Sequence, residues 1–318
     1  MSFNMIILPP RYDQDWDTQI ESLVPGSKVE IIPNPEDATE IIAEADCAYG
    51  NVPPELFRNA RKLRWIQCFA AGPPSSFYHE ALITSDIVVT NFRGIFNDSV
   101  SHHAVALLLA LSRNLNSYIP QQLRKEWKPG EIALHLPDST VIIVGVGGIG
   151  SEVAKLCKCL GANTIGLDPR RTDQPEYLDE LHPPDNLEKL LPRADVVIVT
   201  TPDTPHTRGM INSNRLNLMK SNAILINVGR GVCVVLNDLV EALQSGRIGG
   251  ACLDVFEIEP LPSDHPLWTI PNVILTPHIA AQESAIFAER RTQILMTNCK
   301  RFDRGEELIN VVSKKDRF

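Results

Sequence analysis

Val141 to Asp168 reads VIIVGVGGIGSEVAKLCKCLGANTIGLD. The stretch opens on an unbroken apolar run, the pattern of a strand buried on both faces of a parallel sheet. It then turns through Gly145, Gly147 and Gly150, which together spell GxGxxG. From Ser151 to Leu160 the residues Val153, Leu156, Cys157 and Leu160 recur at helical spacing, and Gly161 supplies a natural C-terminal cap. A second short apolar run, Thr164 to Leu167, ends on Asp168, roughly 20 residues beyond the last glycine.

A glycine-rich turn alone is a weak signal. Strand, turn, helix, strand and acid in this order make the fingerprint of a dinucleotide site. Gly145 permits the tight turn, Gly147 lets backbone N–H groups approach a pyrophosphate, and Gly150 lets helix and strand pack closely. Gly148 and Ile149 open the helix whose N-terminus faces the anion. Asp168 is placed to accept from a ribose hydroxyl and would repel a 2′-phosphate, so NAD(H) is the expected cofactor. Arg170 and Arg171 follow closely and partly offset that repulsion, which keeps NADP(H) open.

The whole chain has 318 residues, 43% hydrophobic and 22% charged, the make-up of a soluble globular protein of about two domains. A net charge of −9 with no basic run argues against a nucleic-acid partner. The seven cysteines form neither a disulfide framework nor paired CxxC motifs, so no metal site is expected and a reducing compartment is. The apolar run near the N-terminus is too short for a signal peptide, and no segment reaches the length of a membrane span. The expectation is a cytoplasmic protein with no membrane partner.

Outward from the fingerprint, Met5–Leu8, Val29–Ile32, Ala45–Tyr49, Leu63–Phe69 and Ile87–Thr90 read as strands, with a helical stretch over Ala38–Glu44. They form a second α/β unit, which has no glycine fingerprint of its own. Ser101 to Leu115 reads as an apolar helix standing at a hinge, and Leu115 to Pro129, with Arg124 and Trp127, as an arm. Beyond Asp168, further strands cover Ala194–Thr200, Ala223–Val228, Gly250–Val255 and Val273–Thr276, and a helix covers Ser284–Arg304. Ligands of open α/β sheets bind at the carboxyl ends of strands. Pro202 and Thr207 after the first of these strands, and Val228 and Gly229 after the second, are therefore expected at the cofactor.

The same strand ends carry Arg230, the carboxylates Asp254, Glu257 and Glu259, and His278. Hydride transfer to a carbonyl needs a proton donor, a cation for the substrate and a partner that keeps the donor in its acid form. Histidine suits the first task, the planar fork of arginine the second, and a carboxylate the third, because it favours imidazolium. Singly, each residue has an ordinary structural explanation.

Their order, with GVGGIG, PDTPHTRGMI, NVGRG, LDVFEIEP and NVILTPH, resembles the D-isomer-specific 2-hydroxyacid dehydrogenase family over most of the chain. The fold this implies is α/β with two doubly wound parallel-sheet domains. A Rossmann-type cofactor domain, 101–283, is inserted in a discontinuous flavodoxin-like substrate domain, 1–100 and 284–318.

The resemblance implies Arg230, Glu259 and His278 as catalytic residues. Asp254 and His278 fall near the nicotinamide, the backbone N–H groups of Ala71 and Gly72 hold a substrate carboxylate, and Arg230 binds and polarises the substrate. It implies a small 2-keto or 2-hydroxy acid substrate, with glyoxylate or hydroxypyruvate the leading candidates and a bulkier 2-keto acid left open, and a homodimer formed through the arm. Glu259 argues against the formate dehydrogenase branch. Two departures stand out: Pro73 and Pro74 in the substrate loop, neither with an N–H to offer, and His102 where relatives usually carry glutamate. A phosphoglycerate dehydrogenase with an added regulatory domain is not expected. The alternative from another class is a dinucleotide-sensing interaction protein, corepressor-like, with little or no turnover.

Overall fold

A computed structural model describes residues 2–10, 12–13, 15–130 and 133–317. The chain divides into two compact units, one of Met1–Ile95 with Glu283–Phe318 and one of Phe96–Gln282.

In the first unit, five parallel strands, β1 (Asn4–Ile7), β2 (Lys28–Ile31), β3 (Cys47–Tyr49), β4 (Trp65–Gln67) and β5 (Val88–Thr90), lie in the order β2-β1-β3-β4-β5. That order is the flavodoxin-like one. The helices α1 (Trp16–Leu23), α2 (Pro54–Phe57) and α3 (Glu80–Ile83) connect them. The expected helix over Ala38–Glu44 is instead two 3₁₀ turns, Pro35–Ala38 and Ile41–Glu44. Each is a single short turn, and Pro35 presets the first. Nothing in the local pattern announces α1, because only Trp16 and Ile20 of its eight residues are buried.

The long C-terminal helix, Ala285–Arg304, returns to this unit, where Thr292 Oγ1 accepts from Trp16 Nε1 at 2.9 Å. Beneath it lies a buried polar chain. Trp65 Nε1 donates to Thr90 Oγ1 at 2.8 Å, Thr90 donates to Gln67 Oε1 at 2.8 Å, and Asn298 Nδ2 donates to the same oxygen at 3.2 Å. Buried polar groups matched in this way rigidify a core where unmatched ones would weaken it.

The second unit opens with α4 (Asn97–Ser112) and α5 (Leu115–Leu123). The apolar helix starts earlier and stops sooner than its periodicity suggests, because Asn114 adopts a left-handed φ of 59° and separates the two. Seven parallel strands follow: β6 (Thr140–Val144), β7 (Asn163–Leu167), β8 (Glu180–His182), β9 (Val196–Val199), β10 (Ile224–Asn227), β11 (Gly250–Leu253) and β12 (Val273–Leu275). Their order is β12-β11-β10-β9-β6-β7-β8, the Rossmann order extended by one strand. The connecting helices are α6 (Gly148–Cys159), α7 (Leu187–Leu190), α8 (Ser213–Leu216) and α9 (Leu236–Gln244).

Alternation along the strands divides the core into two layers. Ile142, Val144, Val197 and Val199 face a cluster built with Leu187 and Leu239, whereas Val141, Ile143, Val196 and Ile198 face α4 and α6 through Ala104, Leu108 and Val153. The edge strand β8 is half-buried along its length and carries Glu180 and His182, which is why hydrophobicity does not reveal it. No helix among the described residues is long and apolar enough to cross a membrane.

Candidate active site

The strand order of the second unit reverses between β6 and β9, and a crevice opens at such a point beyond the carboxyl ends of the strands. Gly145, leaving β6, has φ +96°, a conformation open to glycine at little cost. Thr200, leaving β9, ties the turn down by donating from Oγ1 to the Gly145 carbonyl at 2.6 Å. A Cβ on Gly150 would overlap that same carbonyl oxygen, so the close approach of α6 to the turn depends on glycine there. Gly147 caps α6, and a Cβ at this position would meet nothing within 4 Å. The glycine therefore faces open space at a helix N-terminus, where a pyrophosphate fits and a side chain would intrude. Gly148 packs against the Asn97 side chain and Ile149 against the α4 layer.

Asp168, just past β7, turns its carboxylate to the same edge. Oδ2 accepts from the Val146 N–H at 2.9 Å, and Oδ1 accepts from Arg170 N at 2.9 Å and Arg171 N at 3.1 Å. The acid is fixed against the glycine turn. The Arg171 side chain is directed to the Tyr177 hydroxyl, 2.8 Å away. Glycine turn, helix N-terminus and acid together fit an adenine dinucleotide.

Across the crevice, Thr207 closes the loop after β9, donating from Oγ1 to the Pro202 carbonyl at 2.6 Å while accepting from Thr204 N at 2.9 Å. After β10, Asn227 shapes the turn that presents Arg230. Its Oδ1 accepts from Gly229 N at 3.1 Å and its Nδ2 donates to the Arg230 carbonyl at 3.0 Å. Val228 is buried, and a Cβ on Gly229 would press into the Thr201 backbone. Burial pulls the Arg230 guanidinium pKa down, and the charges of Glu259 and Asp203 are among those that oppose the shift. An arginine remains cationic through such a change.

The loops after β11 and β12 carry Glu259 and His278, the pair expected to handle a proton. His278 Nδ1 lies 2.7 Å from Glu259 Oε2, and the other oxygen of Glu259 accepts from Phe256 N at 2.9 Å. His278 has φ +51°, a strained conformation for a side chain of its size. Its N–H donates to the Asp254 carbonyl at 2.8 Å and to that of Thr276 at 3.0 Å.

Asp254 is 1% exposed. Its Oδ1 accepts from Thr276 Oγ1 at 2.6 Å and Ile279 N at 2.9 Å, and its Oδ2 from Ala280 N at 3.0 Å. Burial alone would raise its pKa. Hydrogen bonds from His103, Thr276, Ile279 and Ala280 outweigh that and hold it at about 2. Glu257 accepts from Leu236 N at the start of α9, a structural duty.

Thus the sequence-predicted residues of the second unit gather at one sheet edge. Ala71 and Gly72 lie in the first unit, in the loop after β4, where the Ala71 carbonyl accepts from Asn91 Nδ2 at 2.9 Å. Pro73 is buried and Pro74 leads into the 3₁₀ turn Ser75–Phe77. His102 is exposed. Three residues without a signal of their own in the sequence also shape the site. Asn227 opens the NVGRG motif and Thr276 precedes Pro277 and His278, so both lie inside motifs that point to the site; His103 is marked only by its neighbour.

Residues 105–280 match the family model described as D-isomer specific 2-hydroxyacid dehydrogenase, NAD binding domain. A glyoxylate reductase of Thermococcus litoralis is 36% identical over 288 residues, covering 88% of this chain and 86% of its own. Among solved structures, a D-isomer specific 2-hydroxyacid dehydrogenase from Xanthobacter autotrophicus, in complex with NADPH and MES, superposes with a TM-score of 0.84 at 27% identity and full coverage of both chains. An NADPH-dependent glyoxylate/hydroxypyruvate reductase from Sinorhizobium meliloti, in complex with NADP and sulfate, gives 0.83 at 26% identity over 99% of this chain and 100% of its own.

Proposed function

Since this chain belongs to the D-isomer specific 2-hydroxyacid dehydrogenase family, we propose that it reduces a small 2-keto acid, glyoxylate or hydroxypyruvate foremost, with His278 as the proton donor. The class is an NAD(P)-dependent oxidoreductase acting on 2-hydroxy acids. The observation that carries the assignment of roles is the 2.7 Å pairing of His278 Nδ1 with Glu259 Oε2.

Nδ1–H of His278 is engaged by Glu259, which leaves Nε2 as the atom that gives a proton to a forming alkoxide. The Glu259 carboxylate orients the ring through that bond and balances the positive charge the ring carries as a donor. Arg230 polarises the substrate carbonyl and balances the negative charge that develops on its oxygen. The backbone N–H groups of Ala71 and Gly72 are assigned to the substrate carboxylate on the family resemblance. Pro73 and Pro74 stiffen that loop and have no N–H of their own to add.

A nicotinamide dinucleotide, when bound, supplies the hydride. Gly145, Gly147, Gly148, Ile149 and Gly150 would hold its pyrophosphate and Asp168 its adenine ribose. Pro202, Thr207, Val228, Gly229 and Asp254 would line the remainder. Asp168 supports a preference for NAD(H), since its carboxylate would stand where a 2′-phosphate must go.

We further infer a cytoplasmic homodimer with a discontinuous substrate domain around an inserted cofactor domain. The apolar residues that support the dimer lie on and beyond α5: Ile119 is 56% exposed, Leu123 81% and Trp127 99%. Light scattering of the parent and of Trp127→Ser tests it, with a shift towards monomer expected.

The test of function is loss of reduced-cofactor absorbance, with NADH and NADPH run separately against glyoxylate, hydroxypyruvate, pyruvate, phenylpyruvate and branched 2-keto acids. Turnover of a small acid is expected, and His278→Ala should abolish it while leaving NADH binding intact. Retained turnover in that variant removes His278 from its role.

A further inference from the structure

We propose that His103, on α4, is a positioning residue for the proton donor: its Nε2–H supports Thr276, Thr276 supports Asp254, and Asp254 holds the backbone that presents His278. The proposal rests on the reading of His278 as proton donor.

The direction of the bonds follows from their chemistry. Thr276 Oγ1 lies 2.6 Å from Asp254 Oδ1, and a buried carboxylate with its pKa at about 2 only accepts, so the single hydroxyl proton is committed there. The Thr276 oxygen is then left to accept, and its neighbour at 2.9 Å is His103 Nε2. His103 therefore carries a proton on Nε2, which also lies 3.4 Å from Asp254 Oδ1. Chains of hydrogen bonds that run one way strengthen one another, and this one ends on a buried carboxylate.

Asp254 passes this order to the catalytic loop. Three successive backbone N–H groups end on it: His278 on its carbonyl, Ile279 on Oδ1 and Ala280 on Oδ2. His278 sits at φ +51°, and a residue persists in that region only where its surroundings over-determine it. The grip of α4 on this edge is repeated along one stripe at spacing i, i+4, i+8. Ser99 Oγ donates to the Ala280 carbonyl at 2.7 Å, His103 meets Thr276, and the Leu107 carbonyl accepts from Cys252 Sγ at 3.5 Å. His102, one residue away, is turned out to solvent.

The experiment compares His103→Leu, His103→Gln and Thr276→Val with the parent enzyme, using the fastest keto acid of the panel and His278→Ala alongside. His103→Leu and Thr276→Val should each lower kcat about tenfold, the scale of one lost hydrogen bond expressed in the barrier, with KM and NADH affinity near parental. His103→Gln, which keeps an N–H near the same point, should recover most of that kcat. Amide exchange at Ile279 and Ala280 should accelerate in the Leu variant and not in the Gln variant. Combined with Glu259→Gln, His103→Leu should add little, since both act through His278.

Parental kcat in His103→Leu, equal losses in Leu and Gln, or a loss confined to NADH affinity would each overturn the proposal. Should the Leu variant fail to fold, His103→Asn takes its place, its amide being too short to reach Thr276. An active His278→Ala sinks the underlying reading. An inactive His278→Ala beside a fully active His103→Leu sinks the positioning role alone.

Discussion

Glu259 divides its carboxylate between two partners: Oε2 lies 2.7 Å from Nδ1 of His278, and Oε1 accepts from the backbone N–H of Phe256 at 2.9 Å. The second bond fixes the rotamer from which the first is made. The acid is therefore set by its own loop before it meets the histidine.

Glu259→Gln keeps the shape of this contact and removes its charge. If His278 donates the proton, the donor ring carries a positive charge that an opposite carboxylate stabilises and a carboxamide does not. The variant should lower kcat for keto-acid reduction about tenfold or more, the scale of one charged hydrogen bond, with NADH affinity near parental. Initial rates and a fluorescence titration with NADH check it. A parental kcat would remove Glu259 from its assigned part.

The glycine turn separates binding from folding. A Cβ on Gly147 meets nothing within 4 Å, whereas one on Gly150 overlaps the Gly145 carbonyl oxygen. Gly147→Ala should leave thermal stability within about 0.5 kcal/mol of the parent while weakening NADH binding at least tenfold. Gly150→Ala should cost about 3 kcal/mol or more, since neither backbone segment can give way cheaply. Thermal melts and fluorescence titration with NADH distinguish the two, and equal effects on stability would contradict the assignment.

Asp168 decides between the two dinucleotides if its carboxylate stands at the adenine ribose. Asp168→Ser removes the negative charge and should raise kcat/KM with NADPH relative to NADH by about tenfold, the scale of one screened charge contact. The variant also loses acceptors for the N–H groups of Val146, Arg170 and Arg171, so both cofactors should bind less well in absolute terms. An unchanged cofactor ratio would move the choice to Arg170 or elsewhere.

Much of this site was legible because its chemistry follows strands in the sequence. Gly145, Gly147 and Gly150, with Asp168, announce the crevice within one βαβ unit, and Arg230, Glu259 and His278 each stand a few residues past an apolar run. What supports them was not legible. His103 and Thr276 are 173 residues apart, and no local pattern brings a helix residue to a strand end at that distance. The sequence places Asp254 near the cofactor, yet its depth and its bonds to Thr276, Ile279 and Ala280 emerge only once β11 and β12 lie side by side. Among the elements that no apolar pattern announces, α1 and β8 bury too little of their length to show one.

Asp254 also ties the site to acid stability. Its pKa is held at about 2 in the folded chain against an ordinary 3.8. A carboxyl whose folded pKa is depressed contributes stability that is fully present above its unfolded pKa and is lost as pH falls through the folded one. The window therefore runs from about pH 4 down to about pH 2, and the contribution that disappears across it is about 2 kcal/mol. Asp254→Asn lacks this titration and leaves the N–H groups of Ile279 and Ala280 with a poorer acceptor. It should be less stable than the parent at pH 7, and the difference should shrink by about 2 kcal/mol as both are taken to pH 2. Urea unfolding at a series of pH values, followed by tryptophan fluorescence, gives the difference directly. A gap that stays constant from pH 7 to pH 2 would mean that the Asp254 carboxylate is not held by the hydrogen bonds drawn here.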